Sequence, residues 1–235
     1  MHDETIAVRP GEDFDREAVR RFLVEHLGEV PDNQPMEVRQ FPTGASNLTY
    51  LLRIGDWEAV MRRPPFGPLP PKAHDMKRES EFLKRLQPFF PLVPKPFLFC
   101  EDESLIGAQF YVMERKRGVV LDERFPPGTN VDDKVCRRIS ETVVDTLVRL
   151  HQVDYREAGL ESFGKPEGFL RRQVEGWIGR YQRAKTDDIP VFESVSKWFL
   201  DHLPTTRETT IVHNDFKLNN MLFAPDLTRV TAVLD

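Results

Sequence analysis

The stretch from Ile211 to Asp235, IVHNDFKLNNMLFAPDLTRVTAVLD, constrains the fold of this chain more than any other. Apolar Ile211 and Val212, then Met221 to Phe223, then alternating Val230, Ala232 and Leu234 read as three short strands, because short apolar runs bounded by turn formers suit a pleated, half-buried backbone. The polar loop His213 to Asn219 separates the first two, and Pro225 with Asp226 turns the chain between the second and third. Asp215, Asn220 and Asp235 then stand at strand ends, where a rigid scaffold presents loop chemistry.

The order and spacing of those three side chains have a chemical reason. Transfer of a phosphoryl group to a hydroxyl needs one carboxylate to accept the hydroxyl proton, and an amide oxygen with a second carboxylate to hold magnesium against a nucleotide's phosphates. Asp215 fits the base, and Asn220 and Asp235 fit the metal ligands. Any one of them alone would serve equally well to cap a turn or solvate a strand end. A metal-dependent phosphoesterase built on His213 and Asp215 would need further ligands that the sequence does not supply.

VHNDFKLNNMLF resembles the catalytic loop of the aminoglycoside phosphotransferase family, and VLD is similar to the start of its second metal motif. That family is a branch of the protein-kinase-like fold whose members phosphorylate small-molecule hydroxyls with ATP. Asn214 stands where glycine is commoner, and asparagine tolerates the left-handed backbone such a position demands. The resemblance covers nearly the whole chain and implies an α+β, two-lobed architecture. A nucleotide-binding lobe is expected over 1–115, with a five-stranded antiparallel sheet plus a helix. A mainly helical lobe is expected over 116–235, truncated at its C-terminus, because family members continue through helices that complete the substrate pocket. The sequence is therefore expected to be a fragment, inactive by itself. ATP or GTP and Mg2+ are the implied cofactors, and His213 is implied as a brace of the loop.

Composition narrows the alternatives. With 235 residues, 40% hydrophobic and 30% charged, the chain matches an ordinary soluble protein. A net charge of -5 argues against nucleic acid as the main partner. Cys100 and Cys136 have no metal-ligand spacing and suit a reducing compartment. The residues after Met1 lack the cationic start and apolar run of a secretory signal, and no apolar run reaches the length of a membrane span. A cytoplasmic enzyme with no membrane or nucleic-acid partner is expected, and its oligomeric state is left open.

The first half of the chain reads as a sheet with two helices. Asp15 to Leu27 is a capped amphipathic helix with Phe14 and Val19 as its hydrophobic staple. EVRQF, LTYLLRI and WEAVMRR are strands, the last two joined by Gly55 and Asp56 in a tight hairpin. PTGASN, between the first two strands, is the candidate phosphate-covering loop: Gly44 allows close backbone approach, while Ser46 and Asn47 offer donors. Arg62 or Arg63 would supply the cation for the phosphates, and strand alternation lets only one of them face inward. The family position favours Arg62. Pro64 to Pro71 is a stiff, extended connection. His74 to Leu86 reads as a helix whose apolar stripe, Met76, Phe82, Leu83 and Leu86, carries Glu79. A carboxylate turned inward needs a cation, and Arg62 is the expected partner.

Val93 to Cys100 and Ala108 to Glu114 complete the expected sheet, and ERKRG reads as a hinge. By resemblance, Met113 contacts the adenine and backbone groups near Glu114 and Arg115 bond its edge. Asp132 to Leu150 reads as a long core helix; Gly168 to Arg183 and Ile189 to Leu203 read as two more, their aromatic residues expected in the core. Arg171, Arg172 and Arg180 read as a solvated face. The segments VMRRPPFGPLPPKAHD and YVMERKRG look most like the subgroup associated with acyl-CoA dehydrogenases, which implies a hydroxylated acyl compound as the small-molecule acceptor. The alternative is a nucleotide-binding regulatory module without turnover.

Overall fold

Period-two apolar runs in the first half do form strands in the structure, a computed structural model that describes residues 4–42, 47–67, 74–122, 125–205 and 208–234. β1 (Met36–Gln40), β2 (Leu48–Ile54) and β3 (Trp57–Arg63) are followed by β4 (Pro96–Cys100) and β5 (Phe110–Met113). They make one antiparallel sheet in the order β1-β2-β3-β5-β4. Ile54 lies opposite Trp57, so Gly55 and Asp56 alone make the turn. Gly55 has φ 58°, a conformation that costs a residue without Cβ nothing. β3 is the central strand. Its Arg62 sits opposite Thr49 of β2 and Tyr111 of β5, and directly opposed residues project to the same face.

Two capped helices flank this sheet. Asp15 accepts from Ala18 N at the start of α1 (Arg16–His26), and Asp75 accepts from Arg78 N at the start of α2 (Met76–Leu86). Val19 and Leu23 of α1 pack with Tyr50, Leu52, Ile54, Met61 and Phe110 in the main core, joined by Phe14 as the staple requires. α2 packs with β4 and β5, burying Met76 against Val60, Tyr111 and Met113. That packing holds Glu79 over the sheet.

A second sheet corrects one expectation. Ile211 and Val212 form no strand; the partner of β7 (Met221–Phe223) is instead β6 (Val119–Val120), with β8 (Val230–Val233) on its other side. Two apolar residues carry no periodicity, so a pair at 211–212 and a pair at 119–120 look alike until tertiary pairing selects one. The selection is local: the Cβ of an alanine at Gly118 would lie 2.5 Å from Thr231 Oγ1 and 2.7 Å from both Leu222 Cβ and Phe223 O, so only glycine lets β6 approach. Val233 N donates to Leu92 O at 2.9 Å, tying β8 to the chain that leads into β4.

The chain divides into two compact units, Met1–Val153 with Val212–Asp235, and Asp154–Ile211. The first holds both sheets, α1, α2 and α3 (Asp133–His151), whose Ile139 and Leu150 are buried as its periodicity requires. The second holds α4 (Phe169–Ala184) and α5 (Val191–Asp201). Tyr181 and Phe192 stack there at 3.5 Å. The expectation that the aromatics of these helices lie in a core fails: neither helix has a buried residue, and Trp177 and Phe199 are 64% and 50% exposed. Two helices packed on each other cover one stripe apiece, and a wider apolar face needs a third element.

Candidate active site

Alternation along β3 settles which arginine meets the helix. Arg63 is 2% exposed, donates to Pro64 O and Ile106 O at 3.1 Å each, and lies 3.9 Å from the Phe66 ring. Burial pushes its pKa down; two carbonyls and an aromatic face stabilise the guanidinium there. Arg62 points to the opposite face, where its Nε lies 3.5 Å from Glu79 Oε2. Tyr111 OH donates to the same oxygen at 3.3 Å. The expected strand-to-helix ion pair is therefore present.

Asn47 joins this group. One end of its amide lies 2.6 Å from His74 Nδ1, and the other lies 3.0 Å from both Nε and Nη2 of Arg62. A guanidinium only donates, so the end that faces it is the oxygen, and the amide nitrogen donates to His74. The reverse orientation would gain a 3.3 Å bond to Glu79 Oε1 but set an NH2 against the guanidinium. Two charge-assisted bonds at 3.0 Å outweigh that.

Met113 closes β5 and packs with Val60, Met76 and Tyr111. Beyond it, Glu114 N donates to Lys95 O at 2.8 Å, and Glu114 Oε2 accepts from Lys95 N at 3.1 Å and lies 3.0 Å from Lys116 Nζ. Arg115 turns its side chain to Glu58 at 2.7 Å and Glu4 at 3.0 Å. The Glu114 amide is thus already committed.

The loop after Val212 is built around one left-handed residue. Asn214 has φ 66°, the conformation that glycine usually supplies and asparagine tolerates. The turn sets Asp215 beside Asn220, whose Nδ2 donates to Asp215 O at 3.0 Å and to Asp215 Oδ2 at 2.9 Å. Lys217 Nζ lies 2.9 Å from the same Oδ2. Chiefly through Lys217, and further through Asn220, the Asp215 carboxyl is held below the usual carboxylate range. The bonds to Asp215 use the Asn220 nitrogen and not its oxygen, and an oxygen is the kind of donor magnesium prefers. His213 Nε2 lies 3.1 Å from Leu234 O, and Leu234 N donates to Asn220 O at 2.8 Å. The backbone immediately before Asp235 is therefore held from both ends of the loop. His213 braces and does not face Asp215 as a base partner.

Of the expected site residues, Asn47, Arg62 and Glu79 meet in one cluster, Asp215 and Asn220 in another, and Met113, Glu114 and Arg115 follow one another at the end of β5. Gly44, Ser46 and Asp235 lie outside the described residues. Among the described residues there is no group of three or more His, Cys, Asp or Glu that could hold a metal ion. Sequence reasoning missed Lys217, His74 and Tyr111. Lys217 was within reach, two residues past Asp215. Tyr111 becomes visible only through the β3–β5 register, and His74 only through its backbone angle.

An antiparallel sheet with a helix-borne glutamate facing a strand arginine, followed by a polar loop of aspartate and asparagine, defines a protein-kinase-like phosphotransferase fold. Residues 37–235 match the Phosphotransferase enzyme family, and the chain belongs to that family. It is 38% identical over 220 residues to acyl-CoA dehydrogenase family member 10 of Mus musculus, covering 94% of this chain and 20% of that protein. It is 37% identical over 235 residues to acyl-CoA dehydrogenase family member 11 of Rattus norvegicus, covering 99% of this chain and 30% of that protein. The chain thus spans less than a third of the curated relatives it matches. A crystal structure from Ralstonia eutropha JMP134, provisionally named an aminoglycoside phosphotransferase, superposes with TM-score 0.80 at 34% identity, covering 95% of this chain and 64% of that one. The ternary complex of streptomycin, ATP and APH(2")-IIa shares the fold, with TM-score 0.56 at 18% identity over 95% of this chain and 70% of that one.

Proposed function

We propose that this chain is an ATP-dependent phosphotransferase domain that moves the γ-phosphoryl group to a hydroxyl of a small molecule. The observation that carries this reading is the joining of Asp215 to Asn220 at 2.9 Å in a loop that also grips Leu234. An ionised Asp215 orients the acceptor hydroxyl and takes its proton as that oxygen bonds to the γ-phosphorus and the bond to the β-phosphate oxygen breaks, leaving ADP. Asn220 and Asp235 would hold Mg2+, which supplies charge neutralisation between the phosphates when bound. Arg62 grips the triphosphate, Gly44 and Ser46 are the further phosphate contacts of this reading, and Met113 with the backbone of Glu114 and Arg115 receives the base.

The nucleotide lobe in this reading is 1–115 and the catalytic lobe 116–235. The named relatives favour a hydroxylated acyl compound as the acceptor class, and a cytoplasmic setting is part of the proposal; among the described residues no helix is long and apolar enough to cross a membrane. ATP consumption by the full-length protein across a panel of hydroxy acids and their thioesters tests the reading, with GTP as a second donor. Asp215→Ala should abolish turnover and leave MgATP affinity within about threefold, since the carboxylate acts on the acceptor. Unchanged turnover in that variant would refute the assignment.

A further inference from the structure

We propose that His74 is a positioning residue for the nucleotide site, fixing Arg62 through Asn47; this rests on the reading of Arg62 as the phosphate-binding cation. His74 has φ 59°, a left-handed angle that few residues with a Cβ adopt. Such strain persists where the surroundings hold it, and it points from geometry to role. Here it turns the imidazole back from the start of α2 so that Nδ1 lies 2.6 Å from the Asn47 amide. Asn47 is 6% exposed, and an amide so buried has one low-cost orientation when both its ends are matched.

The matching works in one direction only. Arg62 demands oxygen at its end of the amide, which leaves the nitrogen to donate to His74 Nδ1. His74 must therefore keep a lone pair at Nδ1 and carry its proton at Nε2. Asp75 caps Arg78 N and Glu79 faces Arg62 and Tyr111, so neither carboxylate is the observed partner of Nδ1. With the imidazole in place, the Asn47 oxygen receives Nε and Nη2 of Arg62 at 3.0 Å each. That fixes the plane of the guanidinium, on which two-point binding of phosphate depends. Removing the imidazole frees the amide to reverse, donate to Glu79 Oε1 and set its NH2 against Arg62.

The test uses His74→Gly, which removes the imidazole while accepting the left-handed angle, and His74→Asn, which tolerates that angle and restores an acceptor near Nδ1. In the full-length protein, calorimetric titration with MgATP should show His74→Gly weakened about tenfold, the weight of one charge-assisted hydrogen bond. His74→Asn should recover most of the loss, and His74→Gly should add nothing on an Asn47→Ala background. The KM for ATP should rise with kcat little changed, because Asp215 is untouched. Nitrogen NMR of the imidazole should report the Nε2–H tautomer with Nδ1 accepting. Wild-type affinity in His74→Gly, independent effects of the two substitutions, or a proton on Nδ1 would overturn the proposal. If the wild-type protein fails to bind MgATP, the phosphotransferase reading falls; the tautomer and the shift of the Arg62 Nε–H resonance in His74→Gly still decide the positioning role.

Discussion

Replacing Glu79 with glutamine isolates the charge in the Arg62 pair. Glutamine retains an acceptor for Tyr111 OH, now 3.3 Å from Oε2, so what disappears is the negative charge 3.5 Å from Arg62 Nε. At an effective dielectric constant of about 20 the gross attraction at that separation is about 5 kcal/mol. The side chains are 16% and 33% exposed, so solvent screening and the cost of desolvating both ions offset most of it. Asn47 continues to receive Arg62, which prevents a stranded cation. A net loss of about 1–2 kcal/mol results, or roughly 2–8 °C in midpoint for a domain of this size. A thermal and urea series on wild type, Glu79→Gln, Arg62→Met and the double variant reads the coupling directly. Coupling below about 0.3 kcal/mol, within the usual additivity of independent sites, would refute the ion pair as an energetic link between β3 and α2.

Lys217→Met should raise the Asp215 pKa back toward the ordinary carboxylate range, because the ammonium is the first cause of its depression. The sign follows: a lowered pKa keeps the carboxylate ionised further into acid, so the acid limb of kcat moves to higher pH in the variant. A carboxyl-carbon NMR titration checks it, and an unmoved limb rejects the pairing. Gly118→Ala forces a methyl to 2.7 Å from Phe223 O and Leu222 Cβ and should cost about 1–3 kcal/mol by overpacking. It should also reduce turnover by shifting β7, which Asn220 precedes. An unchanged melting midpoint would show that β6 pairs otherwise.

The strands and helices were legible wherever a period ran long enough. LTYLLRI and WEAVMRR gave β2 and β3 to the residue, and Asp15 and Asp75 cap helices whose stripes the spacing had marked. Two-residue segments were not legible, since Val119–Val120 and Ile211–Val212 differ in nothing local and β7 chose between them. The Arg62–Glu79 pair was readable because a carboxylate on an apolar stripe demands a cation. Its wider network was not, because Tyr111 enters by strand register and His74 by a backbone angle that no neighbouring residue announces. The aromatics of α4 and α5 misled for a related reason: periodicity identifies a face that wants covering, and says nothing about whether the cover is supplied by the same stretch of chain.

Leu234, gripped by His213 on one side and Asn220 on the other, closes a circuit of main-chain and side-chain bonds. Asn220, whose side chain also holds Asp215, hangs from that ring, so a shift of the Leu234 backbone is felt at both. On the proposed reading, loosening that ring would disturb the seat of the acceptor and of the cation together, whereas trimming the Asp215 carboxylate alone would cost rate and spare nucleotide binding.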